Sequence, residues 1–197
     1  MDNFLEKIDQ VIVVTINSWH TPLLDEVMYL VSSKIAWIPL YFFLVYLAYK
    51  KLPFKQVVFF VSIAIVSVIF SDLVSNYCFK EVFQRYRPSH NLLLMDKLHL
   101  YEMKKGEFYQ GGKYGFISSH ASNFFSFSIF VGLSLKKCYG KLIYILLLIS
   151  CVVSISRVYL GVHYLSDIII GAIVGSGIAY LLYRFVYLRF LEKFSIR

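Results

Sequence analysis

YLSDIIIGAIVGSGIAYLLYRFVY, residues Tyr164–Tyr187, holds Asp167 near one end and Arg184 near the other, with no charged residue between them. A helix needs about 20 apolar residues to cross the hydrocarbon core of a bilayer, and this stretch supplies them. Within it Gly171, Gly175 and Ala179 recur every fourth residue, a stripe of small side chains that lets a neighbouring helix come close. Packing inside one chain accounts for that stripe more simply than dimerisation.

Working outward, four more apolar stretches meet the same description: Ile35–Tyr49, Gln56–Phe79, Ser122–Leu135 and Leu142–Ser156. The first, third and fourth are short, so their flanks should continue the helices. Composition agrees with a bilayer as solvent: 58% of residues are hydrophobic, 16% are charged, and the mean hydropathy is +0.65. The net charge of +8 is scattered among apolar segments, which argues against nucleic-acid binding and for loops anchored at an anionic leaflet. Cys78, Cys138 and Cys151 show no metal-ligand or redox spacing and read as packing residues.

The basic loops orient the chain. Lys50, Lys51 and Lys55, then Lys136, Lys137 and Lys141, then Arg184, Arg189, Lys193 and Arg197 mark the cytoplasmic side by the positive-inside rule. The connections from Lys80 to Ala121 and from Arg157 to His163 then face outward. Before Lys34 the pattern changes. Phe4, Leu5, Ile8, Val11, Ile12 and Ile16 describe an amphipathic helix, and a second begins at Thr21-Pro22, where threonine caps and proline suits the first turn. The acids at Asp2 and Glu6 argue against a cleavable signal peptide. The expected fold class is an all-α integral membrane bundle of five transmembrane helices, or six if an N-terminal helix inserts. Its organisation is an N-terminal amphipathic interfacial segment, 1–33, followed by a transmembrane domain, 34–197.

Three clusters at the outward helix ends hold the ionisable residues. Lys80 and Arg87 are seven apart, two turns of a continuing helix, and Pro88 would end that helix; alone they read equally well as cations snorkelling at an interface. Ser118, Ser119 and His120 stand where a helix begins, with hydroxyls and unpaired N–H groups that favour an anion and an imidazole able to donate a proton. Arg157 lies at the end of the fourth span, and His163 and Asp167, four apart, can share a hydrogen bond that leaves Nε2 as a nucleophile. Together they supply cations, a nucleophile and an acid, which suits phosphoryl transfer. Paired carboxylates for magnesium and histidines at zinc-ligand spacing are missing, so no metal or other cofactor is expected. Asp72, Asn76 and Lys80 share a stripe that reads first as a polar contact between helices. His20, His90 and His99 have no partner at a telling spacing and read as surface or interface residues. The loop from Ser89 to Gly115, with Tyr101, Phe108, Tyr109 and Tyr114, reads either as a cover over the site or as interfacial anchors.

These residues resemble the type-2 phosphatidic acid phosphatases, which share their site with vanadium haloperoxidases. The family pattern is K-x₆-R-P, then P-S-G-H, then S-R-x₅-H-x₃-D. Here it is met by Lys80 with Arg87-Pro88, by Ser118-Ser119-His120, and by Ser156-Arg157 with His163 and Asp167, over roughly Gln56 to Tyr187. Two positions depart: Ile117 stands for proline and Ser119 for glycine. The resemblance implies a lipid phosphatase in which His163 attacks phosphorus, Asp167 orients it and His120 protonates the leaving group. Lys80, Arg87, Ser118, Ser119 and Arg157 would hold the phosphate oxygens. It further implies a multi-pass protein of a bacterial inner membrane with its site facing the periplasm or exterior. The substrate expected first is undecaprenyl pyrophosphate, then a lipid A phosphate, then phosphatidylglycerol phosphate or phosphatidic acid. A catalytically silent lipid-binding protein is the alternative of another class; no obligate protein partner is implied.

Overall fold

The computed structural model describes residues 4–195, which form a helical bundle. Helices α1 (Phe4–Asn17) and α2 (Pro22–Ser32) precede α3 (Ile38–Tyr49) and the long α4 (Phe54–Leu73). After a long connection come α5 (Ser119–Ser134), α6 (Leu142–Tyr159), α7 (Leu165–Leu182) and α8 (Leu188–Ser195). Thr21 caps α2 as its sequence foretells, its hydroxyl accepting from the Leu24 N–H at 3.2 Å, with Pro22 in the first turn. Three helices among the described residues are long and apolar enough to cross a membrane: Phe54–Phe83, Leu142–Tyr159 and Leu165–Lys193. The pair Pro22–Ser32 and Ile35–Tyr49, bent by 72°, qualifies as one further, broken span.

α5 is shorter and richer in serine than its neighbours because it sits among α4, α6 and α7 instead of facing lipid. A ladder of hydroxyls joins it to α4: Ser67 to Ser126 at 2.6 Å, Ser71 to Ser122 at 2.5 Å and Ser75 to Ser119 at 2.7 Å. Ser128 and Ser150, 2.8 Å apart, do the same toward α6. Away from water such pairs satisfy each other, so serine is tolerated in the middle of the bundle. On the α7 side the small stripe is used as expected within the chain. A Cβ on Gly175 would stand 2.0 Å from the Ser122 carbonyl oxygen, and one on Gly171 2.8 Å from that of Ser118. Outward faces of α4, α6 and α7 expose Val58, Ile65, Ile69, Leu148, Ile173 and Leu181, the surface a bilayer would cover.

At the basic end, Leu44, Phe60, Phe130, Leu135, Leu146 and Tyr187 form the main apolar core. The opposite end is built differently. α4 continues through a π-wound turn, Val74–Lys80, and stops at Phe83, where Gln84 adopts a left-handed backbone with φ of 46°. Arg87 therefore lies in an extended segment, its N–H donating to the Lys113 carbonyl at 3.2 Å. Lys80 and Arg87 are not two turns apart on one helix, as their spacing suggests; the chain reverses between them, four residues before Pro88 can act. A two-stranded hairpin, Glu102–Lys104 with Glu107–Phe108, adds a small sheet to the connection before α5.

α1 does more than present an apolar face to an interface. Its Asp9 and Asn17 are buried against the rest of the chain. Asn17 donates to the carbonyls of His99 at 2.8 Å and Tyr159 at 2.7 Å and accepts the His99 N–H at 2.8 Å, tying α1 to the long connection and to the end of α6.

Candidate active site

The loop between α6 and α7 places the central histidine. Gly161, with φ of 68°, makes the reversal after Tyr159 in a conformation glycine adopts without strain. The N–H groups of Val162 and His163 both return to the Arg157 carbonyl. His163 is 1% exposed and Asp167 is fully buried, so their partners define their chemistry. His163 Nδ1 lies 3.3 Å from Asp167 Oδ2, which also accepts the Tyr164 N–H at 2.9 Å. His163 Nε2 lies 2.8 Å from Arg87 Nη1. Since a guanidinium only donates, Nε2 must hold a lone pair and Nδ1 the proton. Burial first, then the charges of Arg87 and Arg157, hold the His163 imidazole well below its ordinary pKa, so it is neutral at pH 7.

Arg87 is kept in place by carbonyls: Nε donates to Tyr114 at 3.1 Å and Nη1 to Val162 at 3.1 Å. Burial first, then Arg157, pushes Arg87 down to about 10, which still leaves it charged at neutral pH. Arg157 is 2% exposed, and its Nη2 donates to the Tyr109 hydroxyl at 2.8 Å. Its Nε and Nη1 are buried with no hydrogen-bond partner among the described residues. A buried guanidinium with two orphaned donors and no carboxylate is costly unless an anion completes it.

Lys80 Nζ donates to Asn76 Oδ1 at 2.8 Å and to Ser119 Oγ at 2.5 Å. Ser119, the residue that departs from the family's glycine, thus turns its side chain toward α4 and leaves its backbone at the α5 N-terminus unobstructed by it. Ser118 is fully buried; its N–H donates to the Asp167 carbonyl at 3.0 Å, and its hydroxyl accepts the Ala121 N–H at 3.4 Å. His120 stands on the wall of a mostly apolar cavity of about 290 Å³ with Ser119, Asn123, Lys34, Val68 and Phe127. Asp72 and Asn76 settle as the polar contact their spacing suggests: Asp72 accepts from Asn76 and from Asn123 of α5, both at 3.0 Å.

All eight residues singled out in the sequence gather at this end of the bundle. Several others belong there too. Arg85 donates to Asp167 Oδ1 at 3.0 Å, to Asp9 Oδ2 at 2.8 Å and to Ser166 Oγ at 2.7 Å, with its guanidinium 4.1 Å from the Tyr164 ring centroid. Asp9 also accepts from the Ser166 N–H and hydroxyl. An aspartate amid the apolar positions of α1 was the available signal. Gly111 and Gly115 bring the long connection against Arg87, where a Cβ on either would come within 3.0 Å of that side chain. With Tyr109 on Arg157, the connection covers the site. His20 and His99 stand exposed at the surface, with their rings stacked and centroids 3.9 Å apart.

Residues 56–191 match the family model described as PAP2 superfamily. A lipid A 4'-phosphatase of Porphyromonas gingivalis is 36% identical over 187 residues, 94% of this chain and 75% of that protein. A lipid A 4'-phosphatase of Bacteroides thetaiotaomicron is 29% identical over 184 residues, 93% of this chain and 79% of that protein. Among solved structures, the transmembrane PAP2 type phosphatidylglycerolphosphate phosphatase of Bacillus subtilis has a TM-score of 0.66 at 20% identity, covering 97% of this chain and 88% of that one. Aquifex aeolicus LpxE has a TM-score of 0.57 at 21% identity, covering 86% and 90%. These two speak to the fold, and the family match and the closer sequences to the chemistry: the chain belongs to the PAP2 superfamily and is a membrane lipid phosphatase, a phosphoric monoester hydrolase.

Proposed function

We propose that this enzyme removes a phosphate monoester from a lipid A type glycolipid through a phosphohistidine. The observation that carries the chemistry is the cluster of half-buried Lys80 and buried Arg87 and Arg157 around a neutral His163, with two Arg157 donors unpaired among the described residues. A dianionic phosphate would draw Arg87 from Nε2 onto an oxygen and expose the lone pair. Nε2 then attacks phosphorus, the P–O bond to the lipid breaks, and His120, held as an imidazolium by the dianionic phosphate that has entered beside it, gives its extra proton to the departing alkoxide and becomes neutral. Water next attacks the phosphohistidine, His120 takes its proton, and inorganic phosphate leaves. Asp167 holds the Nδ1–H throughout. Lys80, Arg87, Arg157, the Ser118 hydroxyl and the Ser119 N–H hold the oxygens, so the charge is balanced by the chain itself and the route uses no metal ion.

The apolar cavity beside His120 suits a substrate whose tails stay in the bilayer. For the headgroup, the names of the two sequence relatives favour lipid A over undecaprenyl pyrophosphate, which the sequence alone placed first. The proposed setting is a bacterial inner membrane with the site on the periplasmic side, opposite the basic loops, and with 34–197 as the catalytic domain behind an N-terminal segment, 1–33. The test is phosphate release by the purified enzyme from lipid A, undecaprenyl pyrophosphate and phosphatidylglycerol phosphate, with His163→Ala as control. The expected result is a kcat/KM for lipid A at least about tenfold above the others, about 1.4 kcal/mol of transition-state preference. Preference for the pyrophosphate would overturn the substrate, and no release from any lipid would favour the binding-protein reading.

A further inference from the structure

On the site end of the bundle, outside the phosphate cluster, three segments distant in sequence bring metal-binding side chains together. His20 lies in the turn between α1 and α2, Asp25 in the first turn of α2, and His99 in the long connection. His99 Nε2 is 3.0 Å from Asp25 Oδ2, and the His20 ring stacks on His99 at an interplanar angle of 12°. One ligand atom from each residue lies within 4.8 Å of the other two.

We propose that His20, Asp25 and His99 form a binding site for one divalent transition-metal ion of the zinc type. The donor set argues for the class: two imidazoles and one carboxylate suit zinc, whereas magnesium and calcium ask for oxygen. The surroundings fix the ligands as an outer shell should. The Tyr159 hydroxyl donates to Asp25 Oδ1 at 2.5 Å, which leaves Oδ2 for the ion, and Asn17 grips the His99 backbone on both sides. The His99 side chain is 42% exposed, so the site is reachable from solvent and water can complete the coordination.

The site shares no residue with the phosphate cluster, yet it is mechanically close to it. Tyr159 ends the helix that presents Arg157, and the connection bearing His99 also bears Tyr109, which bonds Arg157. A bound ion therefore clamps the covering connection to α2 and to the end of α6. Its role is to stabilise that cover, not to enter the reaction, so the inference stands whether or not the substrate is lipid A.

The experiment uses the full chain purified without an oligohistidine tag, stripped with EDTA and dialysed. Zn²⁺ is then titrated by calorimetry, with metal content measured after gel filtration. The wild type should bind one Zn²⁺ per chain and unfold at a higher temperature with it, and Mg²⁺ or Ca²⁺ at equal concentration should do neither. His20→Ala/His99→Ala should lose the site. His20→Gln keeps the contact between His99 and Asp25, so it tests the ligand without disturbing the fold; its affinity should fall roughly 10²-fold or more. His90→Ala should bind as the wild type does, and the His20 and His99 variants separate the site from adventitious binding at the exposed cysteines. Equal Zn²⁺ binding by wild type and double variant, or none by the wild type, would overturn the proposal.

Discussion

Arg87 Nη1 lies 2.8 Å from His163 Nε2, so the group that would steady the phosphate also caps the nucleophile. Arg87 is a positive neighbour that disfavours the imidazolium, and removing it makes protonation easier. In Arg87→Gln the acid limb of log kcat/KM should therefore move to higher pH, with the rate at its plateau lower by about 10² to 10³. Profiles from about pH 4.5 to 8.5 decide this: an acid limb unmoved by the substitution would show that Arg87 does not set the charge of His163.

The two histidines should separate by leaving group. With a lipid substrate His120→Ala should lose about 10² to 10⁴ in kcat, the usual worth of a general acid. With p-nitrophenyl phosphate, whose leaving group needs no proton, the same variant should still show a burst of p-nitrophenol as the phosphohistidine forms. His163→Ala should show no burst with either; a burst from it would remove His163 from the nucleophile's place.

Asp9 holds Arg85, and Arg85 holds Asp167, so α1 reaches the nucleophile through two ion pairs. Asp9→Ala should lower kcat roughly 10-fold to 10²-fold with little change in KM, because geometry and not phosphate affinity is lost. Asp9→Glu should recover part of the rate. A fall in thermal stability with kcat intact would make Asp9 a fold residue only.

Gly115 and Gly112 make a matched pair. A Cβ at Gly115 would lie 3.0 Å from Arg87 Cγ, 3.2 Å from Asp167 Oδ2 and 3.5 Å from His163 Nδ1, whereas one at Gly112 meets nothing within 4 Å. Gly115→Ala should cut kcat by about tenfold or more as those groups shift, and Gly112→Ala should leave it unchanged. Steady-state kinetics on both variants is sufficient.

Gly175 and Gly177 test the packing of α7 in the same way. Gly175→Ala drives a methyl into the Ser122 backbone and should cost about 1 to 3 kcal/mol. At Gly177 a Cβ meets nothing within 4 Å, and Gly177→Ala should gain roughly 0.5 to 1 kcal/mol from helix propensity. Thermal unfolding in detergent should therefore shift in opposite directions for the two variants.

The sequence by itself determined the helical membrane bundle, because lipid as solvent demands long uninterrupted apolar segments and those are countable in Gln56–Phe79 and Tyr164–Tyr187. It also brought out His163 with Asp167 by their spacing, although the contact is made at a helix cap and not along a helical turn: His163 lies before the N-cap Tyr164, whose N–H Asp167 accepts. Tertiary structure decided the rest. Lys80 and Arg87 reach the same end of the bundle on either side of a helix end at Gln84 that their two-turn spacing conceals. Asp9 with Arg85, Gly115 with Asp167, and His20 with His99 are pairs whose separation along the chain holds no periodic signal. Such pairs depend on how closely the helices approach and on where the long connection is pinned, and those are set by Gly175 against Ser122 and by Asn17 between His99 and Tyr159. Close packing and buried hydrogen bonds act across the whole chain at once, and local spacing cannot encode them.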